Sequence, residues 1–114
     1  MNEYRIVYHE QAEIDRQEAA ERIRSYYRRR GDIRKGNEWA KRFRNELVKN
    51  EGLLKENPFR HPHPPMYPFD QVDTTMRYFS VTWNTVFYDV VGDEVVVLAI
   101  LSNRTDFNLH FKVL

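Results

Sequence analysis

The spacing of apolar positions along this chain changes character twice. From Tyr4 to Tyr8 it alternates, with Tyr4, Ile6 and Tyr8 on one face, which predicts a short strand. From Glu10 to about Arg30 the spacing is helical: Ala12, Ala19 or Ala20, Ile23, Tyr26 or Tyr27, and Arg30 recur along one side. Gly31-Asp32 ends that helix. A second helix is expected to start between Arg34 and Glu38, with Asn37 as its N-cap. Ala40, Phe43, Leu47 and Leu54 form its apolar stripe. Gly52 weakens it by roughly 1 kcal/mol relative to alanine, which allows a bend. Asn57 precedes Pro58 and is biased to extended backbone, so the helix stops by Glu56.

All five prolines then fall between Pro58 and Pro68, in a segment that reads as an ordered or semi-rigid loop. Beyond it the period returns to that of strands: about Thr74 to Thr82, Thr85 to Val91, and Glu94 to Leu101. Gly92-Asp93 separates the last two. Glycine takes the positive φ at the first central position of a type II′ turn without steric cost, so this pair predicts a two-residue hairpin. Val95 to Leu101 is apolar without alternation and reads as a central strand buried on both faces. Its charged exit, Ser102 to Asp106, is a natural place for functional side chains. The tail at 107–114 is ambiguous between a strand and a short helix. The order is β-α-α-β-β-β in one domain, residues 1–114. It implies an α+β fold: an N-terminal strand, a helical hairpin, and a three-stranded antiparallel meander in one twisted sheet.

Composition narrows the class. Hydrophobic residues make up 41% and aromatics 14%, too much for a disordered chain. There is no cysteine, so disulfides and thiolate metal sites are excluded and a reducing cytoplasm is the expected setting. No apolar run is long enough for a signal peptide or a membrane span. Net charge is only +1, yet residues 22 to 35 carry Arg22, Arg24, Arg28, Arg29, Arg30, Arg34 and Lys35 against Asp32. Such a block meets phosphates or an acidic partner. The plainer reading is a solvated helix end whose arginines suit the negative pole of the helix dipole.

This order, with its sequence marks, resembles the RelE/ParE toxin superfamily of type II toxin–antitoxin modules. The marks are Glu56-Asn57-Pro58, Met76-Arg77 before Phe79 and Val81, Val86-Phe87-Tyr88 before Gly92-Asp93, and Val95 to Leu101 followed by Arg104 to Asp106. They run over nearly the whole chain. The resemblance implies a helical hairpin on a twisted antiparallel sheet, a bacterial cytoplasmic setting, and roles in growth inhibition and plasmid stabilisation. It implies an antitoxin that wraps and neutralises the toxin in a hetero-oligomer. No cofactor, metal or membrane is implied. Two targets occur in the superfamily. RelE-like members cut mRNA on the ribosome without a metal; ParE-like members inhibit DNA gyrase and are not enzymes. The RelE-like set is not intact here: Thr85 and Thr105 stand where arginines are expected, and Phe111 where a tyrosine is. Arg77 and the long second helix favour the ParE-like branch.

The candidate residues each have two readings. For a nuclease they are Arg77, Arg104 and His110, for phosphate binding and proton transfer. For target or antitoxin binding they are Arg24, Arg28 and Arg30, rimming a groove beside the helical hairpin, with Arg77, Arg104 and Asp106. Structurally, Arg77 is equally a strand-edge arginine packing its stem on aromatic neighbours. Arg104 and Asp106 are equally a surface pair, and His110 a packed tail histidine. Tyr78, Trp83 and Tyr88 either stack bases or form cross-strand core pairs. His61 and His63 fall short of the roughly three or four ligands that zinc normally takes. A third function, from another class, is a non-toxic interaction module of the same fold.

Overall fold

The structure is a computed structural model that describes residues 3–64 and 75–105. Its elements run β1 (Arg5–Tyr8), α1 (Glu10–Arg28), α2 (Ile33–Glu56), β2 (Arg77–Val81), β3 (Asn84–Val91) and β4 (Glu94–Ser102). The helix after β1 starts at His9, whose Nδ1 accepts a hydrogen bond from the Gln11 backbone N–H at 3.2 Å. Acidic Glu10 and Glu13 fill its first turn and Arg28 its last, matching the helix dipole. Gly31, at φ 77°, takes the chain out of α1 in the left-handed region that suits glycine. Arg30 therefore lies beyond the helix rather than on its stripe.

The start of α2 differs from expectation. Asp32, not Asn37, is its N-cap and accepts from the Lys35 backbone N–H at 3.0 Å. A carboxylate in the link between the helices caps the second one, so the connection is shorter than the apolar pattern suggests. α2 runs through Gly52 to Glu56 without interruption. Its stripe of Ala40, Phe43, Leu47 and Leu54 is buried against the sheet and α1, with Ala12, Ala19, Ala20 and Ile23 of α1.

The sheet order is β1-β4-β3-β2. The last three strands form the expected antiparallel meander. β1 instead lies parallel to β4, so the sheet is mixed rather than wholly antiparallel. Parallel pairing needs a long crossover, and the helical hairpin supplies it. Gly92 turns β3 into β4 at φ 60°, while Asp93 stays at negative φ, the type II′ pattern.

Burial along β4 corrects one expectation. Val95, Val97 and Ile100 pack toward the helices, whereas Val96 and Leu98 are only half-buried. Phe87 pairs with Ala99 and Tyr88 with Val97, so Leu98 is an extra residue in β4. This β-bulge shifts the inward positions from 95 and 97 to 100, and it makes an alternating strand look like a continuous apolar run. On the other face Met76, Phe87, Ala99 and Leu101 form a separate smaller cluster.

Candidate functional site

A concavity of about 990 Å³ lies between the C-terminal half of α1 and the adjoining ends of β3 and β4. Its floor is apolar, with Ala19 and Ile23. Arg22, Arg28, Arg29 and Arg104 surround it, against Glu18 and Glu21. Helical spacing brings Glu18, Arg22, Ser25 and Arg29 to one face of α1. Across from them stand Trp83, Asn84, Ser102 and Asn103.

Hydrogen bonds fix that opposite wall. The β2–β3 hairpin turns at Thr82-Trp83, one residue earlier than the sequence suggests. Glu46 of α2 accepts from the Thr82 N–H at 2.6 Å and from its hydroxyl at 2.9 Å. Trp83 follows at φ 60°, and among described non-glycine residues it alone has a positive φ. That conformation is strained for a bulky aromatic residue. Ring contacts oppose the strain: Trp83 stacks on Trp39, lies tilted to Tyr27, and meets Tyr26 edge-on at 5.3 Å between centroids. Asn84 is buried, donates to the Thr82 carbonyl, and accepts from Arg22 at 3.1 Å. Thr85 is also buried, and its hydroxyl donates to Asn103 Oδ1 at 2.7 Å.

The candidate residues separate into groups. Arg28 and Arg104 line the cleft together. Arg28 donates to Glu21 at 2.8 Å and to Ser25, and its guanidinium holds the Glu21 carboxyl below the usual carboxylate range. The Arg104 backbone N–H donates to the Ser102 hydroxyl at 3.3 Å, and its side chain is exposed. Arg24 and Arg30 lie outside the cleft lining. Arg24 pairs with Glu21 at 3.8 Å; Arg30 sits over the Tyr26 ring at 3.6 Å and donates to the Tyr26 carbonyl. Asp106, His110 and Phe111 lie outside the described residues, as does the tail at 107–114.

Arg77 is far from this cleft in its bonding. It donates to the carbonyls of Phe59 and His61, the latter at 2.6 Å, and sits over the Phe59 ring. The same segment is tied down by the Tyr78 N–H donating to the Pro62 carbonyl, by His63 Nδ1 against the Met76 carbonyl, and by the Tyr88 hydroxyl donating to the Pro58 carbonyl. Arg77 thus clamps the proline loop over the β2 edge of the sheet. His61 stacks on Phe79 at 4.9 Å, and His63 is engaged by Met76. Among the described residues no group of three or more metal-ligating side chains converges. Tyr88 is buried, and Tyr78 tilts onto Phe87, so both rings serve packing.

Sequence reasoning names Arg22 only within the basic block and Asn103 only within the exit of β4, and it misses Asn84. The i, i+4, i+7 series from Glu18 was a usable signal for Arg22. Asn84 carries none, because only the hairpin fold brings it beside α1.

A mixed four-stranded sheet backed by a helical hairpin is the α+β layout expected from the sequence, apart from the parallel β1–β4 pairing. A solved chain described as "Chromosomal ParDE TA system from P. aeruginosa" shares this fold with a TM-score of 0.60 and 15% identity, over 87% of this chain and 95% of that one. A scan against protein-family models and a comparison with curated proteins give no match. Among the described residues no helix is long and apolar enough to cross a membrane.

Proposed function

We propose that this chain is the toxin of a type II toxin–antitoxin module, of the ParE-like kind that inhibits DNA gyrase, and that a cognate antitoxin neutralises it. The observation that carries this reading is the fold, shared nearly end to end with a chain from a ParDE system. The burial of Thr85 supports a non-enzymatic action. A metal-independent RNA-cutting site requires cations and a proton carrier around the scissile phosphate. Here the strand position that a RelE-like enzyme gives to an arginine is a threonine bonded to Asn103. The cleft supports antitoxin docking: its apolar floor suits an aliphatic side chain, and its cationic rim an acidic segment.

One observation favours a second reading. Arg28, Arg29 and Arg104 share the cleft, and such a set can hold RNA phosphates for ribosome-dependent cutting. Purified chain assayed against gyrase supercoiling and against translated mRNA separates the two. Inhibited supercoiling with intact message is expected. Message cutting that Arg104→Ala abolishes would install the nuclease. For the partner, Arg28→Glu with Arg104→Glu is expected to slow antitoxin association roughly tenfold or more at low salt. An unchanged on-rate would mean these cations are merely solvated.

A further inference from the structure

We propose that the tip of the helical hairpin, residues 28–35, is a phosphate-contacting surface that binds the backbone of duplex DNA without reading its sequence. The inference goes beyond the toxin reading and does not rest on it. All eight residues are exposed. They carry Arg28, Arg29, Arg30, Arg34 and Lys35 against Asp32, in a chain whose net charge is only +1.

Helix-dipole stabilisation accounts for half of this arrangement. Arg28 lies in the last turn of α1, where a cation is favoured. Arg34 and Lys35 lie in the first turn of α2, which has no acidic residue. There the dipole opposes them, so folding stability is no reason for their presence. Local acids do not quench them either. Asp32 is occupied as the cap. Arg34 has Glu38 at 3.3 Å, with the Arg34 side chain 91% exposed, and such a pair is readily exchanged for a stronger anion.

The tip selects its partner by what it lacks. Arg30 covers the Tyr26 ring and Lys35 lies 5.4 Å from the Tyr27 ring centre, and both half-buried rings pack on each other and on Trp83, which leaves little ring surface for stacking bases. That leaves phosphates as the group to be contacted, which positions without specifying sequence. An acidic protein segment would bury apolar surface as well, and the tip offers only Ile33 for that. Four of the five cations are arginines, whose forked donors match phosphate oxygens.

The test uses the full chain and a labelled mixed-sequence duplex of about 20 base pairs, with binding followed by anisotropy as salt is raised. Four contacts, from Arg29, Arg30, Arg34 and Lys35, give a slope of log K against log salt of roughly −3.6, and a second sequence should give the same value. The variant Arg34→Gln/Lys35→Glu should bring the slope to roughly −1.8. It should also melt higher than the parent, because Lys35→Glu completes a capping box with Asp32 and suits the dipole. Weaker binding by a more stable protein cannot be blamed on unfolding. Absent or salt-insensitive binding, an unchanged slope in the variant, or equal affinity for polyglutamate would each overturn the proposal. Growth arrest by a chain that fails to bind DNA would sink this inference alone. DNA binding by a chain that leaves growth untouched would support it while removing the toxin reading.

Discussion

Two single residues set conditions that the rest of the chain must meet. Asp15 lies in α1 with 8% exposure, an unusual place for a carboxylate. It accepts from the buried Ile100 backbone N–H of β4 at 3.1 Å and from Gln11 Nε2 at 3.0 Å. The β1–β4 pairing stops at Tyr8 and Val97, and past that point Asp15 of α1 serves the Ile100 N–H. Asp15→Ala is expected to destabilise by about 1–3 kcal/mol, because it strands a buried donor. Urea unfolding measures this, and a change under a few tenths would show the donor finds water. Trp83 supplies a second test. Trp83→Ala removes the ring contacts and keeps the positive φ; Trp83→Gly removes the contacts and relieves the strain. Glycine should therefore cost about 1 kcal/mol less than alanine at this position. At this scale the sequence was only partly legible. Apolar positions announce burial, but Asp15 breaks the helical stripe, and its partner is 85 residues away. Trp83 reads as one more strand aromatic until the turn that contains it is known.

Elements were more legible, because period survives averaging over many residues. Both helices and all four strands were visible, and so were the stripe of α2 and the Gly92 turn. Misses gathered at ends and irregularities. Asp32 reads as the stop of one helix but starts the next, and the bulge in β4 mimics two-sided burial. Helix packing adds a contrast that the sequence cannot rank. Gly36 and Gly52 are both glycines within α2. A Cβ at Gly36 would meet the Arg24 carbonyl oxygen at 3.1 Å and the Tyr27 Cβ at 3.2 Å, whereas one at Gly52 meets nothing within 4 Å. Gly52→Ala should stabilise by up to about 1 kcal/mol through helix propensity. Gly36→Ala should destabilise by about 1–3 kcal/mol, since α1 must move to admit it. Thermal melts of the two variants should shift in opposite directions, and a shared sign would mean the helices are free to part.

For the whole molecule, pH acts on both limbs through rings that are buried or half-buried. Burial, with Arg60 and Arg77 nearby, holds the His61 pKa below its ordinary 6.5. Its Nε2 is buried with no hydrogen-bond partner among the described residues. The folded chain thus prefers neutral His61, and the unfolded chain takes up the proton first. Stability is then complete above about pH 6.5 and is lost as pH falls from there toward the folded value. His61→Phe should flatten that part of the acid limb in pH-dependent melting, and an unaltered limb would clear His61. Burial also raises the Tyr8 and Tyr88 hydroxyls, Tyr88 to about 12, and Tyr8 further because it donates to Glu51. The unfolded chain ionises these near pH 10, so stability declines as pH climbs past 10.

The two sides of the sheet end differently. Proline-loop carbonyls and the Arg77 clamp occupy the β2 side, while among the described residues no strand lies beyond β1. A sheet open on both sides can recruit copies without limit and grow into a filament. A sheet open on one side cannot. If two copies met β1 to β1, each would present its clamped side outward, and recruitment would halt at a pair. The stop would rest on the whole set of bonds from Arg77, Tyr78, His63 and Tyr88 that holds the loop beside β2, so a loop anchor would double as a limit on pairing.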